Sequence, residues 1–105
     1  MNHDRLLSFL GICKRAGRLI SGAETVTAAI HEGKAKLALY ACDVSPNSLK
    51  GVIKAAQDHG VAAIELPRTK EEISFALGKH CGIVCTTDDG FAKKILDLIN
   101  DSQGS

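Results

Sequence analysis

Tryptophan is absent from this chain of 105 residues, and only four aromatic side chains occur: Phe9, Tyr40, Phe75 and Phe91. All four fall within apolar patterns and are expected in the core. That expectation excludes the exposed stacking platform on which RNA-recognition-motif and OB-type binding depend. There are two prolines and no low-complexity segment or internal repeat, so the chain is no linker. No apolar run approaches the roughly 20 residues of a bilayer span. Residues 1–11 include Asp4 and Arg5, and they lack the basic block and cleavage site of a secretory signal. A cytoplasmic location without membrane association is expected. Excess charge of one sign is lacking as well. The net charge is +1, which excludes a binder working through bulk charge alone.

Motifs of catalysis are also scarce. The phosphate-binding loop, the dinucleotide fingerprint and the nucleophile elbow are all missing. Four cysteines and four histidines are present, but no C-x2-C pair. The nearest approach to a metal pattern is His80-Cys81-x3-Cys85. Cys13, Cys42 and Cys85 each lie in an apolar pattern and are expected to be buried, reduced thiols, since free cysteine packs as a small hydrophobe. Asp88-Asp89 stand at a helix start, where they serve as cap and dipole partner. Asp43 follows a strand, a place for a ligand in α/β enzymes, and equally a place to hold a turn. No catalytic residue, metal or cofactor is expected.

What is present is alternation. Leu6, Phe9, Leu10 and Cys13 mark one face of a helix over 4–16. Arg18 to Ser21 reads as a short strand, broken by Gly22. Val26, Ala29 and Ile30 mark a helix over 23–32, with Gly33 suited to end it. Leu37 to Cys42 is a continuous apolar run that fits a central strand covered on both faces. Ser45-Pro46 starts the next helix and Gly60 stops it. Val61 to Leu66 reads as a second buried strand. Thr69 and Glu72 form a capping box for a helix carrying Ile73, Ala76 and Leu77 inward and ending at Gly78. Ile83 to Thr86 is the last strand, and Phe91, Ile95, Leu98 and Ile99 mark the last helix.

This order predicts an α/β protein: a three-layer α/β/α sandwich around a mixed sheet of about four strands. The short first strand is the candidate to run against the others. One domain is expected over residues 1–100, with 101–105 a disordered tail.

The segment from Ser21 to Pro46 carries the functional signal. A glycine turn opens a helix, a basic turn (Gly33-Lys34-Ala35-Lys36) closes it, and a buried strand ending in Asp43-Val44-Ser45-Pro46 follows. Residues 14–36 hold five cations (Lys14, Arg15, Arg18, Lys34, Lys36) against two anions (Glu24, Glu32). An exposed helix N-terminus near such a group suits an anionic partner, with RNA leading.

Several marks in order resemble a known family. They are Leu10-Gly11 through Lys14-Arg15-Ala16-Gly17, Arg18-Leu19-Ile20-Ser21-Gly22, Gly33-Lys34-Ala35-Lys36-Leu37, and Ala41-x-Asp43-x-Ser45-Pro46. Ala76-Leu77-Gly78-Lys79 and Thr87-Asp88-x-Gly90-Phe91-Ala92 complete them. Over residues 5–99 the chain resembles the ribosomal protein L7Ae/L30e/S12e/Gadd45 superfamily, and within it the small bacterial YlxQ-like branch. The resemblance implies an L30e-like sandwich that binds structured, kink-turn-like RNA, ribosomal or ribosome-associated, without catalysis. It places the RNA face at Gly22, Ala23, Glu24 and Thr25, flanked by a second loop with Gly78, Lys79 and His80. Lys14, Arg15, Arg18 and Lys36 are expected nearby, on phosphates. Kink-turn binders of the family carry G-T-N-E-x-x-K where this chain reads Gly22-Ala23-Glu24-Thr25-Val26-Thr27-Ala28. The alternative is a protein-interaction module of the same fold with weakened or lost kink-turn affinity.

Overall fold

The computed structural model describes residues 4–103, with side chains through Asp101. The elements are α1 (Arg5–Arg15), β1 (Leu19–Ser21), α2 (Ala23–His31), β2 (Leu37–Tyr40), α3 (Pro46–His59), β3 (Ala63–Glu65), α4 (Lys70–Leu77), β4 (Ile83–Thr86) and α5 (Asp89–Gln103). The sheet order is β1-β4-β2-β3. β2 and β3 are parallel, whereas β4 is antiparallel to both β1 and β2. The sheet is therefore mixed, but the strand that runs against the others is β4 and not β1.

Side-chain alternation along the strands feeds two cores. Leu37, Leu39 and Val84 point into one with Leu6, Leu10, Ile73, Leu77, Ile95 and Ile99, so α1, α4 and α5 cover that face. Ala38, Ile83 and Cys85 point into the other with Val26, Ile30, Val52 and Ala56, so α2 and α3 cover it. The three-layer sandwich follows. The small side chains of the second core let two helices lie close to the sheet.

Local signals set most element ends. Ser45 accepts from the Ser48 N–H at 3.3 Å with Pro46 in the first turn, and Gly60 closes α3 in the left-handed conformation. The Thr69 hydroxyl accepts from Glu72 N at 3.1 Å, and the Glu72 carboxylate accepts from Thr69 N at 2.9 Å, completing the capping box. Asp88 caps α5 by accepting from Phe91 N at 2.9 Å.

Four expectations are corrected. β3 is a three-residue edge strand, half-exposed, because nothing pairs with its outer side. Cys42 is exposed where the chain leaves the sheet after Ala41, while Cys81 is buried in its place. Phe75 is 90% exposed. It sits two residues from the inward Ile73, about 200° round a helix of 3.6 residues per turn. Finally, α5 continues through Gln103, so helix covers the first three residues of the expected tail, and 104–105 lie outside the described residues. No helix among the described residues is long and apolar enough to cross a membrane.

Candidate nucleic-acid interface

The antiparallel register around β4 gives the sheet two distinct ends. Gly22 N donates to Ile83 O at 2.9 Å, so the turn after β1 lies where β4 begins. Lys36 N donates to Thr86 O at 2.8 Å, and Arg18 O accepts from Thr87 N at 3.1 Å, where β4 finishes. Three strand steps, about 10 Å, separate the two sets of backbones. Arg18 and Lys36 are therefore not neighbours of the Gly22 turn. Had β1 run against β2, as the sequence suggested, the residue after β1 would have met the residue before β2. Because both run against β4, they stand at opposite ends.

At the near end, Gly22 holds φ +102° and ψ +136° as the N-cap of α2. A side chain there would be strained, since L-residues seldom adopt that backbone. No side chain caps α2. The first-turn N–H groups of Ala23, Glu24 and Thr25 are those an uncapped helix leaves without intrahelical partners. Val26 N makes the first helical bond, to Gly22 O at 2.8 Å. Glu24 and Thr25 are exposed, and Ala23 is half-buried.

The second loop meets this turn. Gly22, Ala23, His80, Cys81 and Gly82 line one cavity of about 280 Å3, together with Ser45, Ser48 and Lys70. The latter three were not expected from sequence. Asp43 explains Lys70, because its carboxylate accepts from Lys70 N at 2.8 Å and pins the start of α4 beside the strand end. The Lys70 stem then crosses Gly82 so closely that a Cβ there would lie 2.7 Å from Lys70 Cγ. Asp43 is thus a turn-holding residue. Gly78 closes α4 with φ +68°, and Lys79 and His80 are exposed beyond it.

The remaining cations divide. The Lys14 ammonium donates to Leu77 O at 2.7 Å, on the C-terminal carbonyls of α4 where a cation complements the helix dipole. It joins the 78–82 loop, since both Lys79 and Lys14 act electrostatically on the Cys81 thiol. Arg15 lies in a groove between α1 and α4, away from the Gly22 cavity.

The cysteines do not form a cluster. Cys13 and Cys81 pack in the three-helix core and Cys85 in the two-helix core, on the opposite face of the sheet. Burial pushes the Cys85 thiol up to about 11, and burial together with Asp88 does the same to Cys13. Burial also raises Cys81 against the pull of Lys79 and Lys14. These thiols stay protonated at neutral pH, so they are poor nucleophiles.

Fold and site together define a small α/β/α sandwich with an uncapped helix N-terminus beside a basic loop at one end of its sheet. The ribosomal protein L7Ae/L30e/S12e/Gadd45 family matches residues 4–96, and the chain belongs to that family. A protein of Enterococcus faecium named RNA-binding protein YlxQ is 36% identical over 98 residues, covering 93% of this chain and 94% of its own. A Bacillus subtilis (strain 168) protein of the same name is 33% identical over 96 residues, covering 87% and 91%. Among solved structures, a Bacillus halodurans C protein of unknown function superposes with TM-score 0.85 at 25% identity, covering 93% of this chain and 99% of that one. A Giardia lamblia 15.5kD RNA binding protein superposes with TM-score 0.70 at 17% identity, covering 94% and 85%, and shares the fold.

Proposed function

We propose that this chain is a non-catalytic RNA-binding protein acting on structured RNA at the ribosome or in its assembly. Its contact face is the Gly22 turn, the start of α2 and the Gly78–Gly82 loop. The observation that carries the reading is the meeting of Gly22 and Ala23 with His80, Cys81 and Gly82 in one cavity. The names of the Enterococcus and Bacillus relatives support it.

The chemistry is complementary. Uncapped N–H groups of α2 donate to phosphate or base acceptors. Lys70 in the cavity lining, and Lys79 just before the loop residues that line it, supply charge. Glu24 is acceptor-only when ionised, so it pairs with guanine N–H donors and repels phosphate. That favours a bent duplex presenting guanine edges, as in a kink-turn, bound less tightly than by relatives with asparagine at this position and lysine at Ala28. The second reading, a protein-interaction module, draws on the same exposed Glu24 at the head of α2.

A titration against one kink-turn RNA at fixed salt tests this. Wild-type binding is expected to be weak and to fall steeply as salt rises. The change Glu24→Asn with Ala28→Lys is expected to strengthen it, by about 1.5–3 kcal/mol per restored charge-assisted contact before coupling losses. Tight wild-type binding that the double variant fails to improve would make Glu24 a competent reader. Absence of salt-sensitive binding to any structured RNA would favour the protein-interaction module.

A further inference from the structure

Phe75 is out of place as a structural residue. Its ring is 90% exposed, on a helix whose inward positions are Ile73 and Leu77. The other phenylalanines, Phe9 and Phe91, pack edge-to-face with centroids 5.5 Å apart. Phe75 stands at the rim of an open groove of about 380 Å3 between α1 and α4, whose lining includes Leu7, Gly11, Arg15 and Ala76. Arg15 is exposed. Asp4 also reaches the groove, but its carboxylate is occupied by Arg68 at 2.7 and 3.1 Å. Glu71 and Glu72, both exposed one turn before Phe75, are the anions left on that side of α4, the second held in the capping box. At the other end of the same helix, Lys14 sits on Leu77 O and Lys79 follows Gly78.

We propose that Phe75 and Arg15 form a nucleotide-stacking site for an unpaired segment of the bound RNA, continuous with the Gly78–Gly82 loop across the C-terminus of α4. The inference rests on the RNA reading given above. A flat, exposed ring takes the face of any base, because every base offers a π-surface. A guanidinium in the same groove takes the phosphate that such a base carries. Charge selects the occupant. Arg15, Lys14 and Lys79 outnumber Glu71 and Glu72 around this path, which suits a polyanion better than an apolar or basic peptide. Sequence preference is expected to be slight, since stacking does not read base edges.

The absence of tryptophan supplies a probe. Phe75→Trp gives a single fluorophore at the site, and a stacked base quenches it. Two RNAs are compared by anisotropy and by this fluorescence: a blunt kink-turn hairpin, and the same hairpin with a short single-stranded uridine overhang. The overhang is expected to bind the wild type more tightly and to quench Trp at position 75. Phe75→Ala is expected to lose roughly 5- to 160-fold in affinity for the overhang RNA, the fold-change matching about 1–3 kcal/mol per stacked base, with little change for the blunt hairpin. Arg15→Gln weakens the overhang RNA in the same selective way. Folding is not at issue, because a ring 90% exposed contributes little packing. Equal affinity of the wild type and Phe75→Ala for the overhang RNA, with the blunt hairpin still bound, overturns this site and leaves the RNA reading intact. Failure of the wild type to bind either RNA overturns this site and the kink-turn preference with it. A concentration-dependent dimer abolished by Phe75→Ala, without an RNA effect, assigns the surface to a second copy and overturns the stacking site.

Discussion

The two ends of the sheet differ in where their polar groups are satisfied. Where β4 finishes, backbone and buried polar groups are consumed inside the molecule. The Thr86 side chain is fully buried, its hydroxyl donating to Arg18 O at 3.0 Å and accepting from Asp88 N at 3.3 Å. Lys36 N and Thr87 N close the same corner. Where β4 begins, the opposite holds. The helix that starts there has no side-chain cap, its N-cap is a glycine, and the facing loop carries exposed Lys79 and His80. One end uses its hydrogen-bonding capacity inside the molecule, and the other leaves the first turn of α2 without a side-chain cap. Cations occur at both ends, so cation count alone does not distinguish them.

The largest expected effect comes from breaking the closed end. Thr86→Val keeps the shape and leaves Asp88 N without its acceptor in a buried corner. The cost is about 2 kcal/mol, a fall in Tm of roughly 10 °C for a domain of this size. The affinity of the folded protein for structured RNA is expected to stay the same. Calorimetry and a titration below the transition measure the two together. An unchanged Tm would mean that the corner relaxes or admits water, and that the two ends differ less than proposed here.

A charge comparison sharpens the functional side. Lys79→Glu at the open end is expected to weaken RNA binding about tenfold and to reduce the salt slope by about one. Lys36→Glu, whose backbone is anchored to Thr86, is expected to change affinity less than twofold at the same salt. Equal losses from the two variants would mean that the RNA spans both ends of the sheet, which would overturn the assignment of the face to the Gly22 end.

That comparison also marks how far the sequence was legible. Elements with local signals were correctly anticipated: the capping box at Thr69 and Glu72, the Ser45-Pro46 start, the Gly60 and Gly78 stops and the apolar run of β2. The meeting of the Gly22 turn with the His80 loop came from family resemblance, because no local pattern brings together residues so far apart in the chain. Strand direction was the failure. Periodicity gives a strand's two faces but not its sense: a reversed β1 would bring Lys36 to the Gly22 turn, whereas Arg18 lies at the far end of β1 from Gly22 whichever way that strand runs. Phe75 was a different kind of miss. Its position about 200° round the helix from Ile73 turns it to solvent, and hydrophobicity alone does not place a side chain in the core. Lys70 gave no signal, since its place depends on Asp43, a contact across 27 positions.

The smallest effect tests what holds the flank of the open end. Asp4 caps α1 by accepting from Leu7 N at 3.0 Å, and both its oxygens take the fork of Arg68, just before α4. The pair is about one-fifth exposed on each side, so solvent screens it only in part. The Arg68 guanidinium beside Asp4 holds its carboxyl below the ordinary value of 3.8, against the opposing effect of burial. In the same way, Asp4 raises Arg68. Because the folded pKa of Asp4 is depressed, the unfolded chain takes up the proton first as pH falls. The pair's contribution is therefore complete above the unfolded value, near pH 4, and is lost as pH drops through the folded value. Arg68→Gln is expected to cost about 1 kcal/mol at neutral pH, between an exposed pair and a buried one. It should cost less in acid, because the pair's contribution to the wild type falls as pH drops below the unfolded value. Urea unfolding of both proteins at pH 7 and at pH 3 gives the comparison. A difference that is the same at both values would mean that the Arg68 guanidinium acts through its bond to Pro67 O, at 2.6 Å, and not through the charge of Asp4.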